Sequence, residues 1–320
     1  MENETVHCSF IIDSPLRRLR MFPTNVAMLV LNGVFCLTAT VQNMPVIAAI
    51  VKTPSLHTPS NVLLCSLALT DLTVGCVVHP VFVAFKARLL LGEFWCLLLL
   101  VKEGLLIYTG ILSMLILLAI SLERLIALRL HLRYGVLITI PRVLAVVIVT
   151  LLSWGLVVCT WPLGVSINVV SSISVAIMVV VAVALVAVCA EIFRILRRHQ
   201  MVIWNQNKLQ AEMFRSASRR RKSAAAILYV VVLFFVFYSL SAFATIRFIF
   251  TQDFNISQNI LWDIAETLAL MNASVNPILY YWKMGNIRRA VRSLFCASNQ
   301  THLAANKRTD YSTTFKTFRF

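Results

Sequence analysis

The chain alternates long apolar stretches with short polar segments that are rich in basic residues. Seven of these stretches are as long as a bilayer-crossing helix, which needs roughly 20 apolar residues. They cover about 24–51, 60–85, 96–122, 142–162, 169–193, 223–250 and 258–282. The pattern predicts an all-α membrane protein, built as a bundle of seven transmembrane helices.

The segments outside the stretches complete the predicted organisation. We expect an extracellular N-terminus over 1–23, the bundle over 24–282, an amphipathic juxtamembrane helix over 283–297 and a cytoplasmic tail over 298–320. The juxtamembrane helix is predicted because apolar and basic residues alternate with helical spacing directly after the last span. Between the fourth and fifth spans the only interruption is the short sequence 161–164, so that connection must be brief.

Composition and charge support the membrane assignment and its orientation. Of the 320 residues 59% are hydrophobic and 13% charged, whereas soluble domains carry about 25% charged residues. The net charge of +16 comes from basic residues on alternate connections, 22 on one side and six on the other. The positive-inside rule therefore predicts an extracellular N-terminus and a cytosolic tail, with contacts to anionic lipid. We expect the protein in the plasma membrane. Nucleic acid is not an expected partner.

Cysteines and sequons mark candidate modifications. Cys8 and Cys96 are the two cysteines expected outside, where a disulfide between them is one possibility. Cys296 follows the juxtamembrane helix, where palmitoylation and an unmodified thiol are both open. Asn3 and Asn255 begin glycosylation sequons on predicted outer segments. No catalytic cluster or cofactor loop occurs, so we expect no enzyme and no cofactor.

Asp71 lies midway along the second apolar stretch, where a charge costs several kcal/mol unless water or polar neighbours solvate it. Its candidate neighbours from other spans are Asn43, Ser113, Asn272 and Asn276. Such oxygen ligands suit Na⁺ or a proton. The alternative is a protonated aspartate in a structural hydrogen-bond network.

Two sequences at predicted inner helix ends suggest a switch. Glu123-Arg124 ends the third span, where the guanidinium either pairs with the adjacent carboxylate or offers its donors to a partner. In the seventh span Pro277 removes a backbone hydrogen bond and Asn276 can satisfy the freed groups, which predicts a hinge before Tyr280. An interface anchor and an ordinary membrane kink are the alternatives.

Taken in order and spacing, these residues resemble the class A, rhodopsin-like G protein-coupled receptors over about 24–296. The matching positions are Asn43, Leu67, Ala68, Asp71, Trp95-Cys96, Glu123-Arg124, Trp154 and Asn276-Pro277-Ile278-Leu279-Tyr280. The resemblance implies an outer ligand pocket and an inner crevice for the α subunit of a heterotrimeric G protein. It also implies a receptor kinase and arrestin as partners of the Ser/Thr-containing tail.

The resemblance carries roles over to individual residues. It implies an allosteric sodium site formed by Asp71, Ser113, Asn272 and Asn276. It makes Arg124, next to Glu123, the switch that engages the G protein, with Tyr280 as its partner on opening. Tyr238 stands where the family usually has a toggle tryptophan, and Leu240 replaces the usual kink proline. Arg220 lies about where an acidic partner of Arg124 is common, so constitutive activity is a hypothesis.

The ligand is the least defined part of the prediction. Leu106 stands where amine receptors of the family carry an aspartate, which disfavours monoamines. The candidate pocket residues are His79, Lys102, Glu103, Leu106, Asp263 and Glu266. The two acids of the seventh span either receive a cationic ligand or pair with Lys102 or Arg247. The ligand class stays open between peptide, lipid and small molecule.

Three alternatives remain for the function. A divergent chemosensory receptor would have the same fold. An ion-coupled secondary transporter would use Asp71 and Glu266 as coupling sites, although no internal repeat is present. A non-signalling membrane scaffold would not respond to a change at Arg124.

Overall fold

The computed structural model describes residues 6–8, 11–130, 133–160, 167–205, 211–251 and 255–294. Its helices are α1 (Pro15–Lys52), α2 (Pro59–Thr73), α3 (His79–Leu90), α4 (Cys96–Arg129), α5 (Tyr134–Leu137), α6 (Ile140–Cys159), α7 (Ile167–Asn205), α8 (Ala211–Thr251), α9 (Ile256–Lys283) and α10 (285–294). A π turn (Val74–Val78) joins α2 to α3 within one span. The seven spans are therefore α1, α2 with α3, α4, α6, α7, α8 and α9.

Six of these spans are long and apolar enough to cross a membrane by length and composition alone. The remaining span, α9, contains Asp263 and Glu266 among its buried residues and has a polar face. It packs against α1 and α8, so that face is enclosed by the bundle. The helical bundle of a multi-pass membrane protein confirms the predicted fold class.

Helix starts follow from local capping chemistry. The side chains of Ser14, Thr58 and Asn255 accept hydrogen bonds from backbone N–H groups in the first turns of α1, α2 and α9. Proline occupies the first helical position of α1 and α2, where its missing N–H costs nothing. These caps fix the points at which the chain enters each span.

The lipid-facing and inward faces of the helices differ in polarity. Large aliphatic residues such as Val41, Val149 and Val180 are exposed on α1, α6 and α7, as expected for side chains in contact with lipid. Polar groups lie inside, where they bond between helices. Asn43 donates to the carbonyl oxygen of Ala273 at 3.0 Å, which ties α1 to α9.

The structure departs from the expected architecture at the chain's ends and between the spans. Strands β1 (Val6–Cys8) and β2 (Ile11–Asp13) pair antiparallel, so the all-α prediction is incomplete at the N-terminus. Helices α7 and α8 extend well beyond the apolar stretches and continue through charged residues that an apolar pattern does not include. Helix α10 matches most of the expected juxtamembrane helix; its Ile287 is buried and Arg288 exposed.

Gly75, in the π turn, lies close against α1. A Cβ atom placed there would lie 2.7 Å from Thr40 Oγ1 and 2.9 Å from the Thr40 backbone nitrogen. A π turn inserts one residue into the helical ladder and locally alters its direction. Glycine is required here because the neighbouring atoms include backbone, which cannot rotate away.

We predict that Gly75→Ala destabilises the bundle, whereas Gly33→Ala in α1 does not. Overpacking costs about 1–3 kcal/mol, and a Cβ at Gly33 would meet nothing within 4 Å. The measurement is the thermal unfolding midpoint of each purified variant in one detergent. Equal midpoints for the two variants would contradict the close approach.

Candidate functional site

A cavity of about 450 Å³ lies among α4, α7, α8 and α9 and reaches inward to the second span. On α4, Leu106, Gly110 and Ser113 line it because they repeat every three to four residues on one helix face. On α8, Tyr238 and Phe248 line the opposite wall. The cavity is large enough for a small ligand, since ligand pockets measure about 300–1,000 Å³.

Three ionisable side chains meet at the outer end of this cavity. Lys102 Nζ lies 2.7 Å from Glu103 Oε1 and 2.7 Å from Glu266 Oε2, which joins α4 to α9. All three residues are buried, with exposed fractions of 3%, 7% and 7%. Glu103 and Glu266 line the cavity, whereas Lys102 lies behind them against a smaller cavity of about 70 Å³. Three predicted pocket residues thus form one cluster.

A second buried ion pair joins the second and seventh spans. Lys86 Nζ lies 2.7 Å from Asp263 Oδ1 and 3.2 Å from Asn25 Oδ1 of α1. Of the two acids of the seventh span, Glu266 makes the pair with Lys102 that was one predicted alternative, whereas Asp263 pairs with Lys86, which the sequence did not suggest. Asp263 lines the smaller cavity, one helical turn outward from Glu266.

The structure places His79 away from the ligand cavity, which corrects its assignment as a pocket residue. His79 is fully buried, and its Nδ1 lies 3.0 Å from Asn32 Oδ1. Asn32 in turn donates to Thr267 Oγ1 at 2.9 Å. The histidine therefore links the first, second and seventh spans, because its face of the second span points at α1.

Asp71 is buried at the inner end of the cavity, beside the residues proposed as its partners. Asn276 donates a hydrogen bond from Nδ2 to Asp71 Oδ2 at 2.9 Å. Ser113 and Asn272 line the same cavity, and Asn272 Oδ1 has no hydrogen-bond partner in the part of the chain that the structure describes. This set of carboxylate, hydroxyl and amide oxygens fits a Na⁺ ion.

At the inner end of α4, Glu123 holds three polar neighbours. Arg124 Nε lies 3.3 Å from Glu123 Oε2, while Ser60 and Tyr134 donate to Glu123 Oε1 at 2.6 and 2.5 Å. Burial and the bond to Glu123 raise the pKa of Tyr134 to about 12, so the phenol stays a donor. Sequence analysis missed Ser60 and Tyr134, since they lie on other elements and carry no motif.

The seventh span brings its predicted hinge to the same inner end. Tyr280 is buried, with an exposed fraction of 1%, and its hydroxyl has no hydrogen-bond partner among the described residues. It packs in one apolar cluster with Ile287 of α10. Further outward, Tyr238 stacks on Phe234 with ring centroids 4.1 Å apart and lines the wall of the large cavity.

Two of the predicted modification sites lie among the described residues. Cys8 of β1 forms a disulfide with Cys96 at the start of α4, with Cα atoms 5.6 Å apart. Asn255 caps α9 through Oδ1, and glycosylation would use its other side-chain atom, Nδ2. Asn3 and Cys296 lie outside the described residues.

Comparison with known proteins supports the assignment made from fold and site. Residues 42–173 match the family model of the 7 transmembrane receptor (rhodopsin family). The 5-hydroxytryptamine receptor 1B of Oryctolagus cuniculus is 38% identical over 76 residues, which are 23% of this chain and 20% of that protein. The 5-hydroxytryptamine receptor 1F of Mus musculus is 40% identical over 70 residues, 21% of this chain and 19% of that protein.

The matched segment thus spans about one fifth of the length of these curated relatives. Over 42–173 the chain therefore resembles the rhodopsin-like seven-transmembrane receptors, and its helical bundle agrees with that resemblance. Proteins of this family are receptors rather than enzymes, and the match favours a receptor over a secondary transporter.

We predict that Lys86→Met destabilises the protein strongly, because it leaves the Asp263 carboxylate buried without its cation. Breaking a buried pair costs about 3–5 kcal/mol. Arg88→Met is the matched control: Arg88 pairs with Glu93 on the surface, where such pairs are worth about 0–1 kcal/mol. The measurement is the thermal midpoint in detergent together with the surface level in cells.

The double variant Lys86→Met with Asp263→Leu should recover much of the lost stability, since it removes both charges together. A Lys86→Met variant as stable as Arg88→Met would contradict the structural role of the pair.

Proposed function

We propose that this protein is a plasma-membrane receptor that transmits an extracellular signal to a heterotrimeric G protein. The N-terminus lies outside and α10 lies on the cytosolic side. The observation that carries the proposal is the Glu123–Arg124–Tyr134 cluster at the inner end of α4, the same helix whose outer half lines the ligand-sized cavity. One helix thereby joins a ligand site to a site that a cytosolic partner can reach.

The contacts support a specific route between the two sites. A ligand among α4, α8 and α9 contacts Tyr238 and the helix that carries Glu266. Further inward on that helix, Asn276 holds Asp71, and Pro277 interrupts the backbone ladder above Tyr280. A ligand that binds one arrangement of these helices better than another shifts their populations. In the favoured state Arg124 leaves Glu123 and meets the G protein.

The relatives' names describe receptors for 5-hydroxytryptamine. In this chain the aspartate that amine receptors carry in the third span is replaced by Leu106, which lines the cavity. We therefore do not extend that ligand to this protein. Arrestin and a receptor kinase remain proposed partners of the tail, whose residues 298–320 lie outside the described part.

The proposal predicts that Arg124→Ala abolishes receptor-dependent nucleotide exchange. Arg124 is largely buried at the helix end, where 12% of its side chain is exposed and it pairs with Glu123. Its donors suit a partner's carbonyl oxygens. The assay measures ligand-free GTP-analogue binding in membranes, with one class of Gα subunit added at a time. We expect exchange above receptor-free membranes with at least one class, and a loss of about tenfold or more in the variant.

Arg88→Ala is the matched control, because it removes an arginine from the outer side of the bundle, where it pairs with Glu93. Both variants are compared with wild type at equal surface levels. Exchange that is equal in Arg124→Ala and wild type would contradict the role of Arg124. Exchange at the receptor-free level with every class would contradict constitutive signalling.

The oxygen set around Asp71 predicts a stabilising effect of sodium. Replacing K⁺ by Na⁺ at constant ionic strength should raise the thermal midpoint of wild type, since an ion that binds only the folded state stabilises it. Asp71→Asn should lose this difference, whereas the exposed Glu93→Gln should keep it. A sodium effect that persists in Asp71→Asn would place the ion elsewhere.

A further inference from the structure

The charged residues that line the large cavity all have the same sign. Asp71, Glu103 and Glu266 line it, and no Lys, Arg or His among the described residues does so. The potential inside a low-dielectric cavity is set by such wall charges. The cavity therefore favours a cation and disfavours an anion.

The outer carboxylates are only partly neutralised. Lys102 supplies one positive charge to both Glu103 and Glu266, and Lys86 is engaged by Asp263 on the far side. Glu266 is nine-tenths buried, yet its Oε1 has no hydrogen-bond partner among the described residues. A buried carboxylate oxygen without a donor is costly, and an incoming ammonium group would supply one.

The remainder of the cavity wall is largely apolar or aromatic. From Glu266 inward it passes Leu106, Ile107 and Leu270 before it reaches Tyr238. Phe248 and Trp262 line the outer part, their rings edge to face at 5.8 Å between centroids. Such rings accommodate cations as well as apolar groups. The wall fits a ligand with one polar end and an apolar body.

Building on the proposed receptor function, we propose that the cavity binds a monocationic ligand whose ammonium group contacts Glu266. The apolar body of the ligand extends inward along Leu106 toward Tyr238. The anchor is thus a carboxylate of the seventh span rather than one of the third, where Leu106 offers no charge. Two carboxylates, Glu103 and Glu266, share the single positive charge of Lys102. This corner of the cavity therefore carries an excess negative charge when both are ionised.

The competing anchor is Asp71, which also lines the cavity. Its Oδ2 already accepts a hydrogen bond from Asn276, and its neighbours are small oxygen ligands that suit a bare ion. An organic ammonium at that depth would have to place its apolar body past Tyr238. The outer carboxylate is therefore the better site for an organic cation.

Three probes with one carbon skeleton test the charge preference: 3-phenylpropylamine, 3-phenylpropanol and 3-phenylpropionate. The full chain is purified in dodecyl maltoside without a G protein, and the thermal midpoint is followed against probe concentration. We expect the amine to bind about tenfold more tightly than the alcohol, because it adds a charge-assisted hydrogen bond. The carboxylate probe should bind most weakly.

Glu266→Gln should raise the dissociation constant of the amine about tenfold and leave that of the alcohol unchanged. The matched control is Glu93→Gln, a carboxyl-to-amide change on the exposed outer turn, which should alter neither. Binding of the alcohol to Glu266→Gln reports that the cavity is still formed. Asp71→Asn distinguishes the two anchors, since it should leave amine binding intact.

The proposal would be overturned by equal binding of amine and alcohol to wild type, by unchanged amine binding in Glu266→Gln, or by loss of amine binding in Asp71→Asn. Loss of both amine and alcohol in Glu266→Gln would also overturn it, because Glu266 would then shape the cavity instead of binding the cation. Because no G protein is present, a failure here is distinct from a failure to stimulate nucleotide exchange.

Discussion

The polar face of α9 is the constraint on which the bundle depends. In lipid, an unsatisfied polar group costs several kcal/mol, so each such group must find a partner inside the protein. Asp263 pairs with Lys86, Glu266 with Lys102, and Asn276 with Asp71, so that α9 is bonded to the second and third spans along most of its length. The rotation of α9, and with it the position of the neighbouring helices, follows from these pairings.

The same pairings couple the two ends of the molecule. The outer pairs surround the mouth of the cavity, while the contact of Asn276 with Asp71 lies close to Pro277 and Tyr280. A charge placed beside Glu266 changes the electrostatic balance of a helix whose inner end contains the hinge. Under the proposed function, the ionic network that keeps α9 in the bundle is also the part of the structure on which a ligand at Glu266 acts most directly.

The sequence predicts the spans, their order and the meeting of Asp71 with Asn276, since these rest on apolar length and on motif positions. The pairing of Lys86 with Asp263 could not be predicted, because it depends on how far two helices are rotated and how deep each lies. Tyr134 was missed for a related reason: it reaches Glu123 from a four-residue helix in the inner loop. His79 was misassigned because its face of the second span is turned toward α1.

Helix α8 shows how far this chain departs from the pattern of the receptor family that it resembles. It is continuous from Ala211 to Thr251, with Leu240 where a kinking proline is usual. Ser241 donates to the Ala265 carbonyl at 3.1 Å, and Gln258 to that of Ala244 at 2.9 Å. An uninterrupted ladder does not bend at one point, so displacement of the inner end of α8 requires the helix to tilt as a unit. Because these two bonds join α8 to α9, a tilt of α8 has to occur relative to α9. Helix α9 also carries Glu266, the proposed contact of the ligand.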